Sequence, residues 1–173
     1  MSLVLSNLEA SFGVSVSGID LAAPVSADEV SAMQEALRDR LVMVIRDQHL
    51  TPSEYVAAMK LFGVPMHQHL SKLLMPEQPE IAVLDSRIAN TKREDGKIMP
   101  IGSRDWHTDH TNHEKPPKMT ALYAIRLPSQ GGDTGFADMQ KAYDGLEESE
   151  QTRLDALRTV NTLEQDLSYV SDQ

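Results

Sequence analysis

Apolar residues in this chain come in short runs, each cut off by glycine, proline or charge, and that punctuation sets which folds are open to it. Nowhere is there an uninterrupted apolar stretch of the length a membrane span requires. Residues Val4 to Leu21 alternate short apolar pieces with Gly13 and Gly18, the pattern of a hairpin or of edge strands. Ser26-Ala27-Asp28-Glu29 carries a capping box, and Val30, Met33 and Leu37 follow at helical spacing, so a helix is predicted from Ser26 to Arg40. Leu41 to Ile45 is a continuous, β-branched run that reads as a buried strand. Thr51-Pro52-Ser53-Glu54 is a second capping box with proline at the first helical position, and Gly63 before Val64-Pro65 closes that helix. Further on, Ile81 to Leu84 reads as a strand, and the polar stretch from Arg87 to Gly102 as a long loop able to act as a lid. Met119 to Leu127 is expected to be a core strand, broken by Pro128 and the Gly131-Gly132 turn. Asp138 can cap a helix running through Leu146, and Ser149 to about Val160 is expected to form another, with Leu154, Leu157 and Val160 on one face. Short strands with helices clustered early and late favour a mainly β, α+β arrangement: an antiparallel β core with flanking helices, rather than an alternating parallel sheet.

A chain of 173 residues is long enough for one domain with its own core, and a single domain over residues 1–173 is expected. Met33, Met43, Met59 and Met119 fall on apolar faces and belong to that expected core. The formal charge of −10, from 26 acidic against 16 basic side chains, argues against a nucleic-acid or anionic-membrane binder, which needs a basic face. With no cysteine there is no disulfide framework, and any metal must be held by nitrogen and oxygen. The N-terminus lacks a positive region followed by an apolar one, so a cytoplasmic location is expected.

Chemistry concentrates in Trp106-His107-Thr108-Asp109 and Gly131-Gly132-Asp133-Thr134. On an extended strand, His107 and Asp109 leave from the same face and can take adjacent positions around one metal ion. An imidazole with a carboxylate suits non-haem Fe(II) in an oxygenase, a site that needs a third ligand and an open face. On the same ideal strand His110 points the other way. Taken singly, each motif has a plainer reading: a solvated strand end whose aspartate accepts a backbone hydrogen bond, and a tight turn. Their order and the apolar run between them are what favour a shared site.

The block WHTDHTNHEKPPKMTALYAIRLPSQGGDTGFADMQKAYDGL resembles the core of the Fe(II)/2-oxoglutarate-dependent taurine and 2,4-dichlorophenoxyacetate dioxygenase family. The earlier segments GVSVSGIDLAAPVS, LVMVIRDQHLTPSEYVAAMKLFG and IAVLD are similar to that family's N-terminal half, so the resemblance covers nearly all of the chain. It implies a double-stranded β-helix (jelly roll), incomplete at its C-terminal side, with His107 and Asp109 as two iron ligands and Thr134 hydrogen-bonded to 2-oxoglutarate. It also implies a reaction with O2 in which decarboxylation to succinate and CO2 accompanies hydroxylation of the substrate. Family members continue beyond the position of Gln173 and carry there a distal histidine ligand and an arginine for 2-oxoglutarate. None of His49, His67, His69, His107, His110 and His113 lies on a late strand, so the chain reads as the N-terminal part of a longer enzyme or a truncated product.

For the substrate, relatives place a histidine after the helix that ends here at Phe62-Gly63. His69 takes that place, or His67 with a one-residue shift, and Lys72 follows closely. A compact cation there suits a sulfonate, a sulfate ester or an aryloxy or alkyl carboxylate, although a loop lysine in solvent fits the sequence equally well. Ser103 stands where the taurine enzymes have asparagine, and His110 replaces a small apolar residue beside the aspartate, which argues against taurine itself. Trp106 reads as a packing residue or a pocket border. Two other classes stay open: a catalytically silent fragment that binds metal weakly or serves as an interaction surface, and a cupin-like binding protein. Half a jelly roll would leave strand edges open, so the chain alone is expected to be unstable or to self-associate, a homo-oligomer being one way of covering them.

Overall fold

The computed structural model describes residues 2–9, 11–66, 73–85, 90–92, 98–100 and 106–161, with 90–92 and 98–100 by their backbone only. These divide between two compact units, residues 1–102 and residues 103–173. Among the described residues no helix is long and apolar enough to cross a membrane.

The first unit is built on a three-stranded sheet. Strand β1 (Val4–Asn7) pairs antiparallel with β2 (Val14–Ser17), and β2 pairs parallel with β3 (Met43–Ile45). Strand β2 alternates cleanly, with Val14 and Val16 buried and Ser15 and Ser17 turned outward, as the two-residue period of a strand requires. Helix α1 (Ala27–Arg40) makes the crossover that a parallel pair needs. Its predicted capping box is present: Ser26 Oγ accepts from the Glu29 N–H at 3.3 Å, and Glu29 Oε2 accepts from the Ser26 N–H at 3.0 Å. The same device opens α2 (Pro52–Lys60), where Thr51 and Glu54 exchange equivalent bonds. Both glutamates sit below the usual carboxylate range, because the hydroxyl and then the backbone N–H of the cap donate to the charged form.

Val16, Leu21, Met33 and Ala58 form the core of this unit, with Ile19, Met43, Ile45, Met59 and Phe62 packed around them. Sequence periodicity did not reveal the Gln48 clamp beside that core. Its Oε1 accepts from the Leu21 N–H at 2.8 Å, while its Nε2 donates to the carbonyls of Ile19 and Arg46, both at 2.9 Å. Two short antiparallel pairs follow, β4 (Leu74–Met75) with β5 (Gln78–Ala82), and β6 (Asn90–Lys92) with β7 (Ile98–Pro100). Gln78 Nε2 donates to Ser53 Oγ at 3.0 Å and ties β5 to α2.

Several expectations need correction here. The strand predicted from Leu41 begins at Met43, because Leu41 serves as the C-cap of α1 at φ 65°, and the strand is half-buried rather than buried. The strand predicted over Ile81–Leu84 lies earlier, at Gln78–Ala82, leaving Val83 and Leu84 exposed. Within the stretch predicted to be a long loop, β6 and β7 pair as a hairpin. The sheets are also mixed rather than wholly antiparallel, since β2 and β3 run the same way.

The second unit holds α3 (Met139–Asp144) and α4 (Glu148–Asp155). Asp138 caps α3 as predicted, accepting from the Lys141 N–H at 3.0 Å. Gln151 Nε2 donates to the carbonyls of Tyr143 at 3.1 Å and Leu146 at 3.2 Å, and Tyr143 Oη donates to Asp155 Oδ1 at 2.7 Å, so the two helices are held as a pair by polar bonds. Helix α4 ends short of Val160, and the face expected of Leu154, Leu157 and Val160 is exposed. Met119–Leu127, predicted to be a core strand, forms no strand at all: Leu122, Ile125 and Leu127 are 69%, 87% and 74% exposed, and Met119 is exposed as well. A strand is held by a ladder to a neighbouring strand and by a layer packed on its face, and among the described residues no strand pairs with this run.

Candidate active site

His107 lies on the irregular segment 106–108, and the chain turns at Asp109 and His110 instead of continuing as the expected strand. His110 adopts φ 54°, a left-handed conformation that histidine tolerates better than most residues, and its carbonyl accepts from the His113 N–H at 3.1 Å. The turn therefore replaces the strand as the device that sets the pair. His107 Nε2 comes to rest 3.3 Å from Asp109 Oδ1, with side chains 51% and 42% exposed. Donor atoms about 2.1 Å from a metal ion and at right angles around it lie about 3 Å apart, so these two atoms are spaced as neighbouring octahedral ligands are. The residues thus fit a divalent metal as a bidentate chelate that solvent can reach. Among the described residues no group of three or more histidine, aspartate or glutamate side chains is gathered to hold one.

Asp109 has a second partner that the sequence did not suggest. Thr120 Oγ1 donates to Asp109 Oδ2 at 2.9 Å. Eleven residues separate the two, with no regular element between them, so neither a helical nor a strand period would have linked them. His110 and His113 pack edge to face with ring centroids 5.4 Å apart.

The glycine turn is placed against the same segment. Gly131 and Gly132 take φ 69° and 78°, which explains two consecutive glycines before Asp133-Thr134. A Cβ at Gly135 would stand 3.1 Å from Trp106 Cη2, so the indole edge lies directly on the backbone beside Thr134. Trp106, read from sequence as a packing residue or a pocket border, is 75% exposed, and its ring brings the two motifs into contact. Thr134 is exposed. His69, Lys72 and Ser103, and the alternative His67, lie outside the described residues.

A turn-borne imidazole and carboxylate, spaced as two ligands of one metal ion would be, thus stand beside an exposed, threonine-bearing glycine turn. The chain belongs to the taurine catabolism dioxygenase TauD, TfdA family, whose family model matches residues 5–172. It is 31% identical over 166 residues to the (S)-phenoxypropionate/alpha-ketoglutarate-dioxygenase of Sphingobium herbicidovorans, covering 96% of this chain and 55% of that protein. It is 28% identical over 166 residues to the alpha-ketoglutarate-dependent 2,4-dichlorophenoxyacetate dioxygenase of Cupriavidus pinatubonensis, covering 91% of this chain and 58% of that protein. A crystal structure of a taurine dioxygenase from Burkholderia xenovorans superposes with a TM-score of 0.66 at 26% identity, over 90% of this chain and 52% of that one. The chain spans about half the length of the curated relatives it matches.

Proposed function

We propose that this chain supplies the iron-holding part of an Fe(II)- and 2-oxoglutarate-dependent dioxygenase that hydroxylates a small anionic organic substrate. The observation that carries the reading is the 3.3 Å spacing of His107 Nε2 and Asp109 Oδ1 in a chain of this family. The compounds for which these relatives are named, phenoxypropionate, 2,4-dichlorophenoxyacetate and taurine, each carry an anionic group, and a further relative from Pseudomonas putida is named for sulfate esters, which supports a carboxylate, sulfonate or sulfate ester here. In this reading both units belong to one jelly-roll domain in a cytoplasmic enzyme, and the third ligand and the arginine for 2-oxoglutarate come from outside the residues identified here.

Iron bound at this pair would supply O2 activation coupled to loss of CO2 from 2-oxoglutarate, leaving succinate and a hydroxylated substrate. The chain's own residues have simpler tasks. His107 and Asp109 hold the metal by one nitrogen and one oxygen, leaving several positions for ligands. The Thr134 hydroxyl donates to a carboxylate of 2-oxoglutarate, and Trp106 on Gly135 keeps that hydroxyl near the ligand turn. Lys72 and His69 are assigned to the substrate's anionic group, with Ser103 and His110 bordering it.

A second reading is favoured by the exposure of Leu122, Ile125 and Leu127: a catalytically silent chain that presents an interaction surface. An anaerobic visible spectrum of the protein with Fe(II), taken before and after 2-oxoglutarate, separates the two. A charge-transfer band that appears on addition and vanishes in His107→Ala is expected for the oxygenase. Its absence from the wild-type protein would leave the second reading standing.

A further inference from the structure

We infer that Thr120 is a positioning residue for the metal site, acting through Asp109, and that its hydroxyl rather than its bulk is what the site uses. The inference rests on the assignment of His107 and Asp109 as metal ligands. A carboxylate on a short side chain can rotate to offer either oxygen, and a half-exposed one loses rotational freedom only if something holds it. Here Thr120 Oγ1 donates to Oδ2 at 2.9 Å, while Oδ1 stands 3.3 Å from His107 Nε2. One oxygen is thereby occupied by a donor and the other is presented beside the imidazole. The pair is oriented before any metal arrives, and the carboxylate does not have to be recruited from a spread of rotamers.

The geometry also divides roles within the run Met119–Leu127. Its apolar members Leu122, Ile125 and Leu127 point into solvent, and Thr120 has a bond that reaches the site. A hydrogen bond to a ligating carboxylate fixes its orientation, and loss of such a partner commonly weakens metal binding by about 10- to 100-fold.

Trp106, the only tryptophan of the chain and the neighbour of His107, provides the readout, since a paramagnetic ion held by the pair quenches its fluorescence. Cu(II) is the suitable probe because it binds nitrogen and oxygen sites most tightly among the first-row divalent ions. Titration of the full 173-residue chain with Cu(II) is compared for wild type, Thr120→Ser, Thr120→Ala and Thr120→Val, with His107→Ala as the control. Serine and alanine both lack the γ-methyl and differ only in the hydroxyl, so their contrast stands even if the valine variant folds poorly. The expected result is a wild-type midpoint for Thr120→Ser and a midpoint about 10-fold higher for Thr120→Ala and Thr120→Val, with unchanged thermal melting. Equal midpoints for serine and alanine, alongside quenching that depends on His107, overturn the positioning role and leave the metal site intact. Quenching of the wild type that His107→Ala does not alter overturns the ligand assignment, and the role of Thr120 falls with it.

Discussion

The two units of this protein differ most in what they bury. In the first, Val14, Val16, Leu21, Met33, Val56 and Ala58 are withdrawn from solvent by a sheet and two helices with complete capping boxes. In the second, no described residue is buried, although the sequence there also carries Leu122, Ile125, Leu127 and Met139. The same apolar side chains contribute to stability in one place and lie against water in the other, because burial depends on a facing layer and not on the side chain alone. The candidate metal pair lies in the second unit. His107, Asp109, Thr120 and Thr134 are held by a turn, a hydrogen bond and a ring on a backbone, with no buried residue among the described ones of that unit.

Substitutions can break this contrast. The largest effect is expected from Met33→Ala, which opens a cavity at a fully buried position and should cost about 2–5 kcal/mol in urea unfolding, whereas Ile125→Ala in the second unit should stay within about 0.5 kcal/mol. Equal costs would show that the second unit packs as tightly as the first. Next, Ser26→Ala removes the acceptor at the start of α1 and should lower stability by about 1 kcal/mol, read from the same curves.

A pH experiment sharpens the point. The folded-state pKa values of Glu29 and Glu54 are depressed, so their contribution is complete above the unfolded value and disappears as pH falls through the folded one. Helical circular dichroism should accordingly fall with acid below the ordinary carboxylate range, and Glu29→Gln should flatten that loss.

A change of opposite sign is expected at Leu41. Its φ of 65° is strained for a side chain and 40% of it is exposed, so Leu41→Gly should raise the melting temperature of the first unit by the equivalent of about 1 kcal/mol. The smallest effect belongs to the second unit. Gly135→Ala places a methyl against the Trp106 indole and should shift the emission maximum of that single tryptophan while leaving the melt unchanged.

The sequence was most legible where a local rule coincided with a local structure. Ser26 to Glu29 and Thr51 to Glu54 announce their helices because a capping box is complete within four residues, and Asp138 does the same for α3 with a single bond. Legibility failed where the outcome depended on distant partners. Leu41 to Ile45 is one apolar run, but Leu41 is taken by the C-cap of the preceding helix. Met119 to Leu127 has a strand's composition and no described strand to pair with. At the candidate site, motifs single out His107, Asp109 and Thr134 as candidates, while nothing marks Thr120, since a threonine in an apolar run carries no sign of the carboxylate it meets. A turn takes the place of the strand expected from the His-x-Asp spacing, and the pair is still adjacent.

That adjacency changes how metal binding should be weighed against folding. Two candidate ligands separated by one residue need almost no loop closure to meet, so the unfolded chain keeps part of the same grip. A ligand that binds the denatured ensemble nearly as well as the native one scarcely moves the unfolding equilibrium. Calorimetric melts with added metal should therefore show only the modest shift that the native-state Thr120 bond, about 10-fold in affinity, provides, less than direct titration alone would suggest.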